Sequence, residues 1–191
     1  MTKFILHGGY TRDANEANEA FYRELVKDLK DGGTILLVYF AAEDSEYETL
    51  REAHKKQVLA QSEGRSFNFE IASKEKFMEQ VEGASVLYIG GGSTNRLFSI
   101  LEQFPNLKAS LVDKTVAGSS AGAYVLSAFN YDKSANTVRA GLGLVPIRTI
   151  CHYKSPTNEH TGEEAVRVME SSHQNLPLVI LKDREWKVFE I

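Results

Sequence analysis

Gly118-Ser119-Ser120-Ala121-Gly122 is the part of this chain best suited to covalent chemistry. It follows the apolar run Thr115-Val116-Ala117 and leads at once into a helix-compatible stretch, Ala123 to Phe129. A serine flanked at two residues' distance by glycines, between a strand and a helix, has the pattern of a nucleophile elbow. Such a turn is so tight that only glycine lets strand and helix pass close together. It also aims backbone N–H groups at negative charge forming beside the hydroxyl. A plain tight connection or a phosphate-binding turn would use the same residues, so the chemistry depends on finding a base, an acid and an oxyanion hole.

A free hydroxyl is a poor nucleophile at neutral pH and needs a base. There are five histidines. His7 lies in the first strand–turn segment, His54 in the middle of a charged helix and His173 behind a helix end, and all three read as structural or solvated. His152 directly follows the apolar run Ile147–Cys151, where a loop can bring its imidazole over the elbow, and it is the expected base. His160, just before a helix start, is expected at helix entry or in contact with substrate. Asp132, in the polar segment Asn130–Arg139, is the first choice for the acid that orients the histidine. Asp183 and Glu185 are alternatives in the last turn, while Asp113 precedes the elbow strand and falls at the opposite edge of the sheet. The oxyanion donors expected are the Ala121 N–H and an N–H from Gly91 or Gly92, within the triplet Gly90-Gly91-Gly92. No Lys-Ser/Thr follows that triplet at P-loop spacing.

These residues need a scaffold, and the hydrophobic pattern predicts one. Lys3–His7, Thr34–Ala42, Phe67–Ala72, Ser85–Ile89, Lys114–Ala117, Ile147–Cys151, Leu178–Leu181 and Lys187–Ile191 read as strands, the last two as a hairpin around Asp183-Arg184-Glu185. Between them lie predicted helices: Ala14–Lys30 capped by Asp13, Glu46–Gln61, Lys74–Val81, one starting near Asn95, and Asn106–Val112. Thr161-Gly162-Glu163-Glu164 has capping-box spacing and opens a helix to about Ser172. Alternating strands and helices predict an α/β fold, a three-layer doubly wound, mostly parallel sheet with helices on both faces. Gly90-Gly91-Gly92, Ser120 and His152 then share the crevice beyond the carboxyl ends of the strands, where open α/β sheets bind ligands.

At 191 residues, without repeats or linkers, the chain reads as one domain, 1–191. Its net charge of -4 is interspersed, so no basic stripe suggests nucleic acid. No apolar run approaches a membrane span and no signal-peptide core is visible, and a cytoplasmic location without membrane partners is expected. The single cysteine, Cys151, rules out an internal disulfide and a cysteine-cluster metal site, and no metal or cofactor is expected.

Gly90-Gly91-Gly92-Ser93-Thr94, Gly118-Ser119-Ser120-Ala121-Gly122-Ala123, and Leu144-Val145-Pro146 leading to His152-Tyr153 together resemble the dipeptidase E / cyanophycinase family of serine peptidases. The resemblance runs from the first strand to His160-Thr161-Gly162-Glu163. It implies a class I glutamine amidotransferase-like fold, Ser120 as nucleophile, His152 as base, and Gly91 and Ala121 as oxyanion donors. Asp132 is the nearest match to the aspartate that members carry between serine and histidine. The dipeptidase branch cleaves after an N-terminal aspartate and uses an arginine after the His-x-Gly-Glu segment. Ala165 falls near that place here, so Arg167, Arg148, Lys154 and His160 are the cations to consider. The expected function is hydrolysis of small peptides through an acyl-enzyme at Ser120. The rivals are an esterase of the α/β-hydrolase type, disfavoured because His152 follows Ser120 so closely, and an inactive family member that binds an amino acid or peptide.

Overall fold

A computed structural model of the chain describes residues 1–157 and 161–191. In chain order the elements are β1 (Lys3–His7), α1 (Glu16–Val26), β2 (Thr34–Val38), α2 (Tyr47–Ala60), β3 (Asn68–Ile71), α3 (Phe77–Gly83), β4 (Val86–Ile89), α4 (Thr94–Leu101), α5 (Leu107–Ser110) and β5 (Thr115–Ser119). They continue as α6 (Ala121–Leu126), β6 (Ser127–Asp132), β7 (Thr137–Ala140), β8 (Val145–Ile150), α7 (Glu163–Glu170), β9 (Leu178–Ile180) and β10 (Trp186–Glu190). A six-stranded sheet runs in the order β10-β1-β5-β4-β2-β3, parallel except for β10.

The inner strands of this sheet are largely apolar because both of its faces are covered there, whereas the edge strands β3 and β10 carry Asn68, Glu70, Lys187 and Glu190. Alternate side chains go to opposite sides. Leu6, Leu36, Val38, Leu87 and Val116 pack with Phe77, Leu97, Leu101 and Leu107 from α3, α4 and α5. Ile5, Ile35, Leu37, Tyr88 and Ala117 pack with Phe21, Leu25 and Val26 of α1 and Val58 of α2. This is the three-layer α/β arrangement that the strand–helix alternation predicts.

Four local expectations are corrected. The first helix starts at Glu16, because the extended Asn15 accepts the Asn18 N–H on its side chain, while the Asp13 carboxylate is drawn to Arg184. Gly162, with no side-chain cap, precedes α7, and the capping box expected at Thr161 does not form. The polar stretch after α6 is a hairpin, β6–β7, not a loop. It belongs to a second sheet, order β7-β6-β8-β9, whose Tyr131 and Ile150 pack on Ala165 and Met169 of α7. Consequently β9 and β10 do not pair as a hairpin: β9 lies beside β8, and β10 beside β1 in the other sheet. The turn between them crosses from sheet to sheet.

Two of the described histidines are buried in this framework. His7 ends β1 and is fully buried, and His54 on α2 sits between the hydroxyls of Tyr39 (2.8 Å from Nδ1) and Tyr88 (3.1 Å from Nε2). Burial lowers the pKa of His7 from 6.5 to about 4, and burial, reinforced by Arg12, lowers that of His54 to about 3. Below pH 6.5 the unfolded chain takes up protons at both rings while the folded chain does not, so stability falls with pH. His7 alone costs roughly 3 kcal/mol by pH 4. Thermal unfolding monitored from pH 7 to pH 4 should show Tm dropping steeply below pH 6.5. A Tm that stays level down to pH 4.5 would contradict this account of the two rings.

Candidate active site

Ser120 occupies the turn between β5 and α6, with φ 52° and ψ -107°. Positive φ in a serine is strained, and close packing on both sides enforces it. A Cβ on Gly118 would lie 2.6 Å from the Gly122 carbonyl carbon, and one on Gly122 would lie 2.3 Å from the Ile89 carbonyl oxygen on β4. The two glycines of the motif therefore let β5, α6 and β4 meet at backbone distance. The Ser120 N–H donates to the His7 carbonyl at 2.9 Å, tying the turn to the end of β1.

The imidazole of His152 reaches this hydroxyl, with Nε2 2.9 Å from Ser120 Oγ. His152 stands just past β8, also at positive φ (56°). It is steadied by its own N–H donating to the Gly8 carbonyl (3.2 Å) and by the edge of Tyr10, 5.3 Å between ring centroids. The neighbouring Cys151 is pinned to α6, since the Tyr124 hydroxyl accepts its N–H and donates to its carbonyl. Burial pushes the Cys151 thiol well above its ordinary pKa, so it is no rival nucleophile.

The other ring nitrogen, Nδ1, lies 2.7 Å from Asp183 Oδ1, and both side chains are 14% exposed. Asp183 arrives in the turn from β9 to β10. The Arg184 N–H donates to the Gly9 carbonyl and the Gly8 N–H to the Glu185 carbonyl, and the Glu185 carboxylate accepts the Lys182 N–H. Asp132, expected behind His152, is engaged elsewhere. One of its oxygens accepts the Ser134 and Ala135 N–H groups within the β6–β7 hairpin, and the other pairs with Arg139. The sequence favours Asp132 because it lies between Ser120 and His152 in the chain, with Asp183 an alternative in the last turn.

Gly91 lies against the serine: a Cβ there would be 3.3 Å from Ser120 Cβ. Among the described residues, neither the Gly91 nor the Ala121 N–H donates to a backbone carbonyl. Gly92, where a Cβ would meet the Ala41 carbonyl at 2.4 Å, lines both cavities together with Ser120. His160 lies outside the described residues. The histidines read as structural are so placed, with His173 stacked on Phe129. Among the described residues no group of three or more His, Cys, Asp or Glu side chains converges as metal ligands would, and no helix is long and apolar enough to cross a membrane.

Two cavities flank Ser120 and His152. The larger, about 590 Å³, is lined by Tyr10, Arg12, Tyr39, Glu46 and Tyr88, and the smaller, about 240 Å³, by Asn95, Tyr124, Asp132 and Arg139. Of the cations expected from sequence, Arg148, Lys154 and Arg167 line neither. Arg148 is buried and donates to the carbonyls of Met169, Ser172 and Leu176 behind α7. Lys154 pairs with Glu163, and Arg167 with Glu164. Arg12 lines the larger cavity, and Lys133 and Arg139 the smaller; Arg12, four residues past the first sequence glycine after β1, was legible only as a residue beyond a strand's carboxyl end.

A serine hydroxyl, an imidazole and a carboxylate in series, beside two unengaged backbone N–H groups, are equipped for acyl transfer. A model of peptidase family S51 matches residues 4–190. The chain belongs to peptidase family S51. The family resemblance carried by the glycine triplet and the Ser120 motif therefore holds, and this S51 chain is a serine-type peptidase. In fold it is similar to a peptidase from an acI-B1 Actinobacterium, with TM-score 0.73, 20% identity, and 100% of this chain covering 84% of that one. It is also similar to a candidate peptidase E protein from Listeria monocytogenes EGD-e, with TM-score 0.67, 17% identity, and 100% and 99% of the two chains covered. No curated protein sequence matches the chain.

The glycine packing sets a sharp limit on the S51 elbow. Gly122→Val should destabilise the fold by about 2–3 kcal/mol through overpacking against the β4 backbone, read by urea denaturation. A variant as stable as the wild type would show that the β4–α6 approach is not the constraint described.

Proposed function

We propose that the chain hydrolyses small peptides through an acyl-enzyme on Ser120, with His152 as general base, Asp183 as the acid behind it, and the Gly91 and Ala121 N–H groups as oxyanion donors. The observation that carries this reading is the continuous series Ser120 Oγ–His152 Nε2 and His152 Nδ1–Asp183 Oδ1, at 2.9 and 2.7 Å. Nε2 takes the hydroxyl proton as Oγ attacks the peptide carbonyl, and charge gathers on the carbonyl oxygen. The same proton then passes to the departing amine, which leaves the acyl group on Ser120. A water molecule, deprotonated by His152, attacks that ester and frees the enzyme. Asp183 holds Nδ1 protonated and offsets the charge on the ring at each stage.

Cavities of about 590 and 240 Å³ on the two sides of Ser120 suit a short peptide laid across the serine. In the larger one, Arg12 has no carboxylate partner among the described residues, because Asp13 is taken by Arg184 and Glu43 by Arg96. Its guanidinium suits a substrate carboxylate. In the smaller cavity Arg139 is already paired with Asp132.

A fluorophosphonate should label the wild type and not Ser120→Ala. On a dipeptide library, Asp183→Asn should lower kcat by about 10⁴-fold by favouring the wrong imidazole tautomer, whereas Asp132→Asn should act mainly on KM. An unlabelled wild type would favour a binding protein. Loss of kcat in Asp132→Asn matching that in Asp183→Asn would return the acid's role to Asp132.

A further inference from the structure

The buried ring of His7 takes no part in the steps above, yet it touches the segment that carries all three proposed catalytic groups. His7 Nδ1 accepts the Gly9 N–H at 3.0 Å, and Nε2 lies 2.9 Å from Asn18 Oδ1. A backbone N–H can only donate, so Nδ1 bears no proton and Nε2 bears the single one. The Asn18 amide agrees, because its Nδ2 donates to the Tyr10 and Asp13 carbonyls and leaves Oδ1 to accept. The ring is thus fixed as one neutral tautomer.

What this hydrogen bond holds is the backbone of Gly8 and Gly9. Gly9 has φ +124°, and a Cβ on it would lie 2.0 Å from His152 Cε1, so the imidazole of His152 rests directly on this residue. The Gly8 carbonyl accepts the His152 N–H and the Gly9 carbonyl the Arg184 N–H, next to Asp183. We propose that His7 is a positioning residue: as the neutral Nε2–H tautomer clamped by Asn18, it fixes the Gly8–Gly9 support and thereby aligns His152 between Ser120 and Asp183. The inference rests on the catalytic reading of those three residues.

A protonated His7 would turn an N–H toward the Gly9 N–H and break the clamp. The groups facing the ring do little to prevent this. Asn18 and Phe21 on α1, Ser119 on β5 and Trp186 on β10 are uncharged. His152 opposes a charge on His7 and Asp183 favours it, both secondary to burial. The clamp is accordingly an acid-sensitive element beneath the catalytic histidine.

Three variants separate acceptor from mere bulk. His7→Asn places Oδ1 where Nδ1 was and should keep kcat within a few fold. His7→Phe fills the space without an acceptor and should lower kcat by 10- to 100-fold with KM little changed. Toward pH 4 kcat should fall more steeply in the wild type than in His7→Asn. Two NMR measurements are independent of turnover: ¹⁵N shifts should show His7 with Nδ1 unprotonated, and the low-field proton between His152 and Asp183 should survive in His7→Asn but not in His7→Phe. Should the wild type cleave no peptide, the peptidase reading fails while the NMR measurements still decide the clamp. A protonated Nδ1 on His7, a low-field proton unmoved by His7→Phe, or equal losses in both variants would overturn the proposal.

Discussion

Three consecutive carbonyls at the carboxyl end of β1 hold this site together. His7 accepts the Ser120 N–H, Gly8 the His152 N–H and Gly9 the Arg184 N–H. Each proposed catalytic side chain comes from a different part of the chain: the β5–α6 turn, the end of β8, and the crossing between β9 and β10. The end of β8 and the approach to the β9–β10 crossing also bond to each other, Tyr153 N–H to the Leu181 carbonyl, but all three segments are referred to the same short stretch. Such sharing favours precision, because errors in three separate supports do not accumulate. It also explains why the support is made of two glycines, since a side chain on Gly9 would occupy the place of the His152 ring.

Strain at the site is consistent with that arrangement. Ser120, His152 and Arg184 all have positive φ, a conformation costing of order 1 kcal/mol or more for each. The surrounding sheet can hold them because its strands are buried on both faces by two apolar clusters. Backbone tension is concentrated where strands end, and packing behind those ends opposes it.

Much of this was legible in the sequence, and the reasons are local. Continuous apolar runs such as Thr34–Val38, each ending in a turn, can only be strands covered on both faces, and strand ends placed Gly91, Ser120 and His152 in one crevice. The second sheet was less legible. Ser-Ala-Phe-Asn-Tyr-Asp and Thr-Val-Arg-Ala form β6 and β7 on a half-exposed surface, where polar residues are compatible with strand and loop alike. The crossing from β9 to β10 was not legible either, although Asp183 in that turn was an alternative for the acid. Asp132 had the expected chain position, but the hairpin and Arg139 occupy its oxygens.

The pairing of β10 with β1, Lys3 opposite Glu190, has a consequence in time as well as in space. A ribosome delivers the first strand and the serine turn long before it delivers residues 183–190. Until then the imidazole lacks its carboxylate and β1 lacks an edge neighbour. Joining residues so far apart in sequence is a slow, late step of folding. The relay proposed for this site is therefore complete only once the last strand has docked.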